Sequence, residues 1–184
     1  MELLDQLKIP KDRIAVLLGE KGKIKRQIEK ATSTTLTINS KEGDVEILCG
    51  DGLKLLIAKN IVTAISRGFN PTIALQLTNE ENCLEIVDIK DLTKNKTKGS
   101  IVRVRSRLIG SDGKARKLLE KLTNTSICVY GKTACIIGIY ENAIIAKRAI
   151  INLILGSKHG NVYAFIEKEK RKHLSNEEID EFSG

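Results

Sequence analysis

The apolar positions of this chain change period several times, and each change predicts an element. Ile24, Ile28 and Ala31 recur at helical spacing after Gly22, and Ala115, Leu118, Leu119 and Leu122 recur at i, i+3, i+4 and i+7 after Gly113, so an amphipathic helix is expected at both places. Thr35-Leu36-Thr37-Ile38 and Ser126-Ile127-Cys128-Val129 follow, each led in by Ser or Thr turn residues, and each predicts a strand. A second strand comes next in both cases, Val45 to Cys49 and Thr133 to Ile137. Longer runs then return to helical spacing, roughly residues 53–66 with Leu56, Ile61 and Ile65, and roughly 141–155 with Ile145, Ala149 and Leu153. Ahead of the two Gly-bounded helices, Arg13-Ile14-Ala15-Val16 and Ile101-Val102-Arg103-Val104-Arg105 read as short strands.

These elements form an internal repeat. Leu17-Leu18-Gly19-Glu20-Lys21-Gly22 aligns with Leu108-Ile109-Gly110-Ser111-Asp112-Gly113 at an offset of 91, and the offset falls to 88 beyond the first hairpin strand, so the second hairpin connection is shorter. Three strands with helices on one face make an α+β unit, expected here twice, over residues 1–68 and 100–174. The stretch 69–99 carries Ile73, Ala74, Leu75 and Leu77, then Leu84, Ile86, Val87, Ile89 and Leu92. Those residues would be wasted in solvent, so 69–99 is predicted to be a structured joining segment with a boundary near 95–99. Residues 175–184 are acidic without an apolar face and are expected to be a disordered tail.

The glycine loop carries the candidate chemistry. Glycine admits positive φ and lets another backbone approach, while the first turn of a helix leaves N–H groups unpaired and carries partial positive charge. That combination suits a phosphate. Lys114, Arg116 and Lys117 place cations at a helix start, where the helix dipole disfavours them unless an anion is bound.

Composition narrows the class. The chain has 184 residues, a formal net charge of +8 and a pI of about 9.3, which points to polyanionic partners, while 3% aromatic content without Trp argues against base stacking on aromatic rings. No apolar run reaches the roughly 18 residues of a membrane span, and Met1-Glu2-Leu3-Leu4-Asp5 lacks a basic region followed by an apolar core. A soluble, unprocessed, cytoplasmic protein is therefore expected. Cys49, Cys83, Cys128 and Cys135 form no Cys-x-x-Cys pair and read as buried thiols, and with only His159 and His173 beside them no metal or other cofactor is expected. A nucleotide P-loop requires Gly five residues before its Gly-Lys pair, but Leu17 and Leu108 stand there and no Ser or Thr follows. Glu80, Glu81, Glu85 and Asp88 read as a solvated face rather than a nuclease centre.

Strand, glycine loop, helix, two strands and a final helix together resemble the eukaryotic-type (type I) KH domain. The wider combination of Gly68-Phe69-Asn70-Pro71, Ala74-Leu75 and Leu84-Glu85-Ile86-Val87-Asp88 with Leu108-Ile109-Gly110 and Asp112-Gly113-Lys114-Ala115-Arg116 is more specific. It is similar to the Krr/partner-of-Nob family of two-KH ribosome-assembly proteins, whose archaeal members are termed Dim-two-like, over about residues 8–170. The resemblance implies two tandem type I KH domains, no enzymatic activity, and binding of single-stranded RNA near the 3′ end of small-subunit ribosomal RNA. It also implies protein partners, a Nob-type endonuclease and the alpha subunit of translation initiation factor two. One departure is Ser111, where such proteins usually carry Lys or Arg. The alternative is a protein-interaction adaptor that uses a KH-like groove for a partner of that kind.

A KH-type loop holds about four nucleotides by their backbone, with bases in an adjoining groove. By that resemblance the RNA site of the second copy comprises Arg103, Arg105, Arg107, Gly110, Ser111, Asp112, Gly113, Lys114, Arg116 and Lys117, over a groove floor of Leu108, Ile109 and Ile127. The three arginines would share one face of an extended strand, with Val102 and Val104 turned to the core. Gly19, Glu20, Lys21, Gly22, Lys23, Lys25 and Arg26 form a secondary site for RNA or protein. Charge favours the second copy: residues 1–99 hold 16 Lys and Arg against 14 Asp and Glu, and residues 100–175 hold 15 against 5.

Overall fold

The computed structural model describes residues 2–182, with side chains described through His173. The chain divides into two compact units, residues 1–84 and 85–184.

In unit 1, β1 (Leu3–Lys8), β2 (Thr35–Asn39) and β3 (Asp44–Cys49) form a sheet in the order β1-β3-β2, with both pairings antiparallel. Leu36 pairs with Ile47 and Ile38 with Val45, while Thr35 and Thr37 stay exposed, so the alternation seen in sequence sends one face inward. That face is covered by α2 (Lys23–Thr32) and α3 (Gly52–Ser66), and α1 (Lys11–Leu18) packs on both helices. Asp51 caps α3 by accepting from the N–H groups of Leu53 and Lys54, and Ala58, Ile61, Val62, Ala64 and Ile65 of α3 are fully buried. The short α4 (Pro71–Ala74), capped by Asn70 with proline in its first turn, packs back on α3.

Unit 2 repeats the plan. The sheet runs β4-β6-β5, built from β4 (Asn82–Asp88), β5 (Ser126–Tyr130) and β6 (Thr133–Ile139), with β5 antiparallel to β6 across a two-residue connection, Gly131-Lys132. After β4 come α5 (Ile89–Leu92), α6 (Lys98–Ile109) and α7 (Lys114–Thr123), and after β6 come α8 (Tyr140–Ile154) and α9 (His159–Phe182). Leu119, Ile127, Ile136, Ile150, Leu153 and Ile166 make the core. No helix among the described residues is long and apolar enough to cross a membrane, and the four cysteines are thiols rather than disulfide partners.

Three expectations are corrected. Residues 13–16 and 101–105 lie in helices α1 and α6, not in strands. The Val-Arg alternation is overridden because Ile101, Val104 and Leu108 also stand at i, i+3 and i+7, Thr97 caps the helix by accepting from the Ser100 N–H, and the third strand of each sheet comes from farther upstream, β1 and β4. The segment 69–99 is not separate: its first part packs on α3, and the division between the units falls inside β4, whose sheet and following α5 belong with unit 2. Helix α9 runs through the 174/175 boundary to Phe182, and the tail expected to be disordered falls on side chains after His173 and on residues 183–184, outside the described residues.

Candidate nucleic-acid interface

Both glycine loops share one backbone. Gly110 has φ 72° and ψ 176°, Asp112 φ 53° and Gly113 φ 73°; the counterparts are Gly19 at 68° and 179°, Lys21 at 49° and Gly22 at 74°. Gly110 and Gly19 occupy a region that is essentially closed to other residues. Contact reinforces this at Gly110, where a Cβ would stand 2.8 Å from the backbone nitrogen of Ala115. The Gly110 N–H donates to the Ser106 carbonyl at 2.8 Å and the Gly113 N–H to the Gly110 carbonyl at 3.2 Å, which closes α6 and turns the chain into α7. Helix α7 therefore starts on a glycine without a side-chain cap, directly behind the exposed Ser111 and Asp112.

The cations at this helix start are not equivalent. Lys114 and Lys117 are exposed and have no ion-pair partner among the described residues. Arg116 is committed elsewhere: its Nη1 donates to Glu120 Oε1 at 3.1 Å and to the Ile127 carbonyl at 3.2 Å, while Glu120 Oε1 accepts from the Ile127 N–H at 2.8 Å. This clamp fixes α7 to β5. Unit 1 has the same device, with Lys25 and Glu29 3.6 Å apart and Glu29 accepting from the Leu36 N–H at 2.9 Å. Buried Thr32 and Thr34 in unit 1, and Thr123 and Thr125 in unit 2, share hydroxyl contacts of 2.8 Å behind these helices.

The remaining expected residues separate. Positions two apart on a helix lie about 200° apart, so Arg105 is turned away from Arg103 and Arg107. Arg103 is exposed; Arg105 is half-buried, with its Nε enclosed and without a hydrogen-bond partner; Arg107 donates to the Ser157 carbonyl, while its own carbonyl meets His159 Nε2 at 3.0 Å. Leu108 and Ile127 are core residues, 2% and 3% exposed, whereas Ile109 is half-buried beside the loop. Val102, expected in the core, is 49% exposed. Read at helical period, Val102, Arg105 and Ile109 stand at i, i+3 and i+7 on one side of α6, a stripe hidden by the strand reading. In unit 1, Glu20, Lys21, Lys23 and Arg26 are exposed around the loop, and Lys25 is half-buried in its clamp. Two proton-affinity shifts lie away from both loops: burial raises the Tyr163 phenol, and Glu169 is held below the ordinary carboxylate range, chiefly by the hydrogen bond from Lys172.

Comparison with known proteins agrees with this geometry. A family model described as eukaryotic type KH-domain (KH-domain type I) matches residues 83–171, beginning inside β4. A KH domain-containing protein of Methanocaldococcus jannaschii is 43% identical over 92% of this chain and 75% of its own length. The pre-rRNA-processing protein PNO1 of Chaetomium thermophilum is 27% identical over 86% of this chain, which spans 62% of that protein. Among solved structures, the complex of a/eIF2alpha, aDim2p and rRNA from Pyrococcus horikoshii contains a chain that is 43% identical, with a TM-score of 0.86 over 93% of this chain and 96% of the other. Identity and coverage of this extent place the sequence in a defined lineage: the chain belongs to the Dim2/PNO1 family of KH-domain proteins.

Proposed function

We propose that this chain is a cytoplasmic RNA-binding protein of small ribosomal subunit biogenesis, built of two tandem type I KH domains and without catalytic activity of its own. Its second glycine loop grips single-stranded ribosomal RNA near the 3′ end of the small-subunit RNA. The observation that carries the reading is the loop Gly110–Gly113: a helix start without a side-chain cap, flanked by exposed and unpaired Lys114 and Lys117, in a family whose solved relative is complexed with rRNA. Unit 2 holds 19 Lys and Arg against 12 Asp and Glu, and unit 1 holds 12 against 11. The near-neutral unit 1 supports the RNA or faces protein, the alpha subunit of initiation factor two or a Nob-type endonuclease.

Replacing Ser111 by Asp puts a second carboxylate beside Asp112. It is expected to weaken binding of single-stranded RNA about ten-fold or more, because phosphate contacts dominate affinity. Lys21→Asp is expected to cost clearly less. Titration of a labelled RNA at several salt concentrations checks both variants, with circular dichroism to show that each is folded. A larger loss for Lys21→Asp would move the principal site to unit 1, and salt-insensitive association with protein but none with RNA would favour the adaptor.

A further inference from the structure

The two copies differ most ahead of the glycine loop. Ile9 and Ile89 occupy matching places, since the N–H of each donates at 2.8 Å to a carbonyl of the hairpin connection, Gly43 in one copy and Lys132 in the other. Their offset is 80, whereas the loops are offset by 91, so unit 2 carries eleven more residues between strand and loop. In unit 1 only Pro10 separates Ile9 from α1, while in unit 2 the added residues make α5 and the stretch that leads from it into a longer α6. Residues 92–95 of this insertion form one wall of a cavity of about 250 Å³, closed by Arg103 and Val104 of α6 and by the end of α8. No residue of the glycine loop lines it. Arg103 lies about 200° around the helix from Arg105, so the cavity is on the opposite side of α6 from the stripe Val102, Arg105, Ile109.

The lining combines two chemistries. Leu92, Val104, Ile154 and Leu155 give it aliphatic surface, and Leu155 is 58% exposed, where unit 1 carries Arg67 at the offset of 88. Lys94 and Arg103 are exposed and have no ion-pair partner among the described residues, and no acidic side chain among those residues lines the cavity. The hydroxyls of Thr93 and Ser100 are already engaged, with the Ile89 carbonyl and the Thr97 hydroxyl. A ligand is thus offered apolar contact and two cations, but few groups that could read the edge of a base. We propose that this cavity docks a protein partner through a short acidic segment with one bulky apolar side chain, which covers Leu155 and Val104 while its carboxylates meet Lys94 and Arg103. Covering Leu155 takes apolar surface out of water, which a sugar-phosphate backbone does not do. A second copy of the chain would bring a net charge of +8 to a cationic rim. Because the cavity faces away from the stripe that leads to the loop, such a partner and RNA can be held at once.

The test titrates the full chain, by fluorescence anisotropy, with two labelled peptides of glutamate residues, one with a central phenylalanine and one with a central serine. The phenylalanine peptide is expected to bind roughly ten-fold more tightly, the effect of covering one apolar side chain. Leu155→Ser should remove that preference, and Lys94→Ala should weaken both peptides. Leu155→Arg, which installs the residue unit 1 carries there, adds a cation and should still lose the preference, a result that charge alone would not produce. All three variants should keep the native circular dichroism and the native affinity for single-stranded RNA, and saturating RNA should leave the phenylalanine peptide bound. The peptide comparison stands whether or not the chain binds RNA. Equal affinity of the native chain for the two peptides, or binding of neither, overturns the proposal. So does displacement of the peptide by RNA, which would place it in the cleft of the glycine loop, and so does a folded Leu155→Ser variant that loses RNA affinity, which would assign this face to nucleic acid. A dimer in light scattering that Leu155→Ser converts to monomer would assign the face to a second copy and overturn it as well.

Discussion

Glu120 decides which cations beside the loop are available. In sequence Lys114, Arg116 and Lys117 look alike, yet Arg116 has a carboxylate four residues on and is spent on the α7–β5 clamp, as Lys25 is with Glu29. The i,i+4 spacing was visible in the sequence; that each carboxylate also receives a strand N–H was not, because that depends on where β5 and β2 lie. The glycines were legible outright, and their two roles differ. Gly110 combines a backbone region closed to other residues with a 2.8 Å approach to the Ala115 nitrogen, whereas Gly113 has φ 73° and side-chain atoms no nearer than 3.8 Å. Gly110→Ala is therefore expected to destabilise unit 2 by at least about 2 kcal/mol, and Gly113→Ala by about 1 kcal/mol. Urea denaturation of the two variants measures the difference, and equal losses would contradict the contact argument.

At the scale of elements, both hairpins, the helices after each glycine loop and the long helices α3 and α8 follow directly from apolar periodicity. The elements ahead of the loops were misread because a short Val-Arg alternation fits both periods, and only the pairing of β4 with β6 removes the need for a strand there. Helix α9 was hard to read as a packing element, since it brings just Val162 and Ile166 to the core and polar contacts add to them. Arg148 donates to Glu169 Oε2 at 2.9 Å and lies 4.9 Å from the centre of the Phe165 ring, and Lys170 donates to the Leu122 carbonyl at 3.0 Å. The Glu169 carboxyl is held below its ordinary range by the hydrogen bond from Lys172 first, with the charges of Lys172 and Arg148 adding to it against some desolvation. A carboxyl lowered in the folded state stabilises the fold above its unfolded value, and that contribution is lost as pH falls through the folded one. Glu169→Gln should therefore lower Tm at neutral pH, and the gap from the native chain should close as the solution is acidified below the ordinary carboxylate range. Thermal melts across that range check it, and a gap that widens in acid would refute it.

For the whole molecule, the charge asymmetry read from sequence survives the shift of the boundary from the expected 95–99 to the junction of Leu84 and Glu85. What changes is the content of each unit. Strand β4 lies at one edge of the second sheet, beside the central β6, and Val87 within it and Ile89 just after it are 3% and 0% exposed. A fragment beginning at residue 100 would lack that strand, leave the β6 backbone unpaired along one edge and remove both apolar residues from the core. A fragment beginning at Asn82 keeps the complete three-stranded sheet and, at about a hundred residues, is large enough for a core of its own. The 82–184 fragment is accordingly expected to unfold cooperatively and to bind single-stranded RNA within a few-fold of the full chain, while the 100–184 fragment shows no cooperative transition. Thermal denaturation and anisotropy titration of the two fragments decide the matter. A folded 100–184 fragment would show that β4 is dispensable, and a folded 82–184 fragment without RNA affinity would move the binding surface out of unit 2.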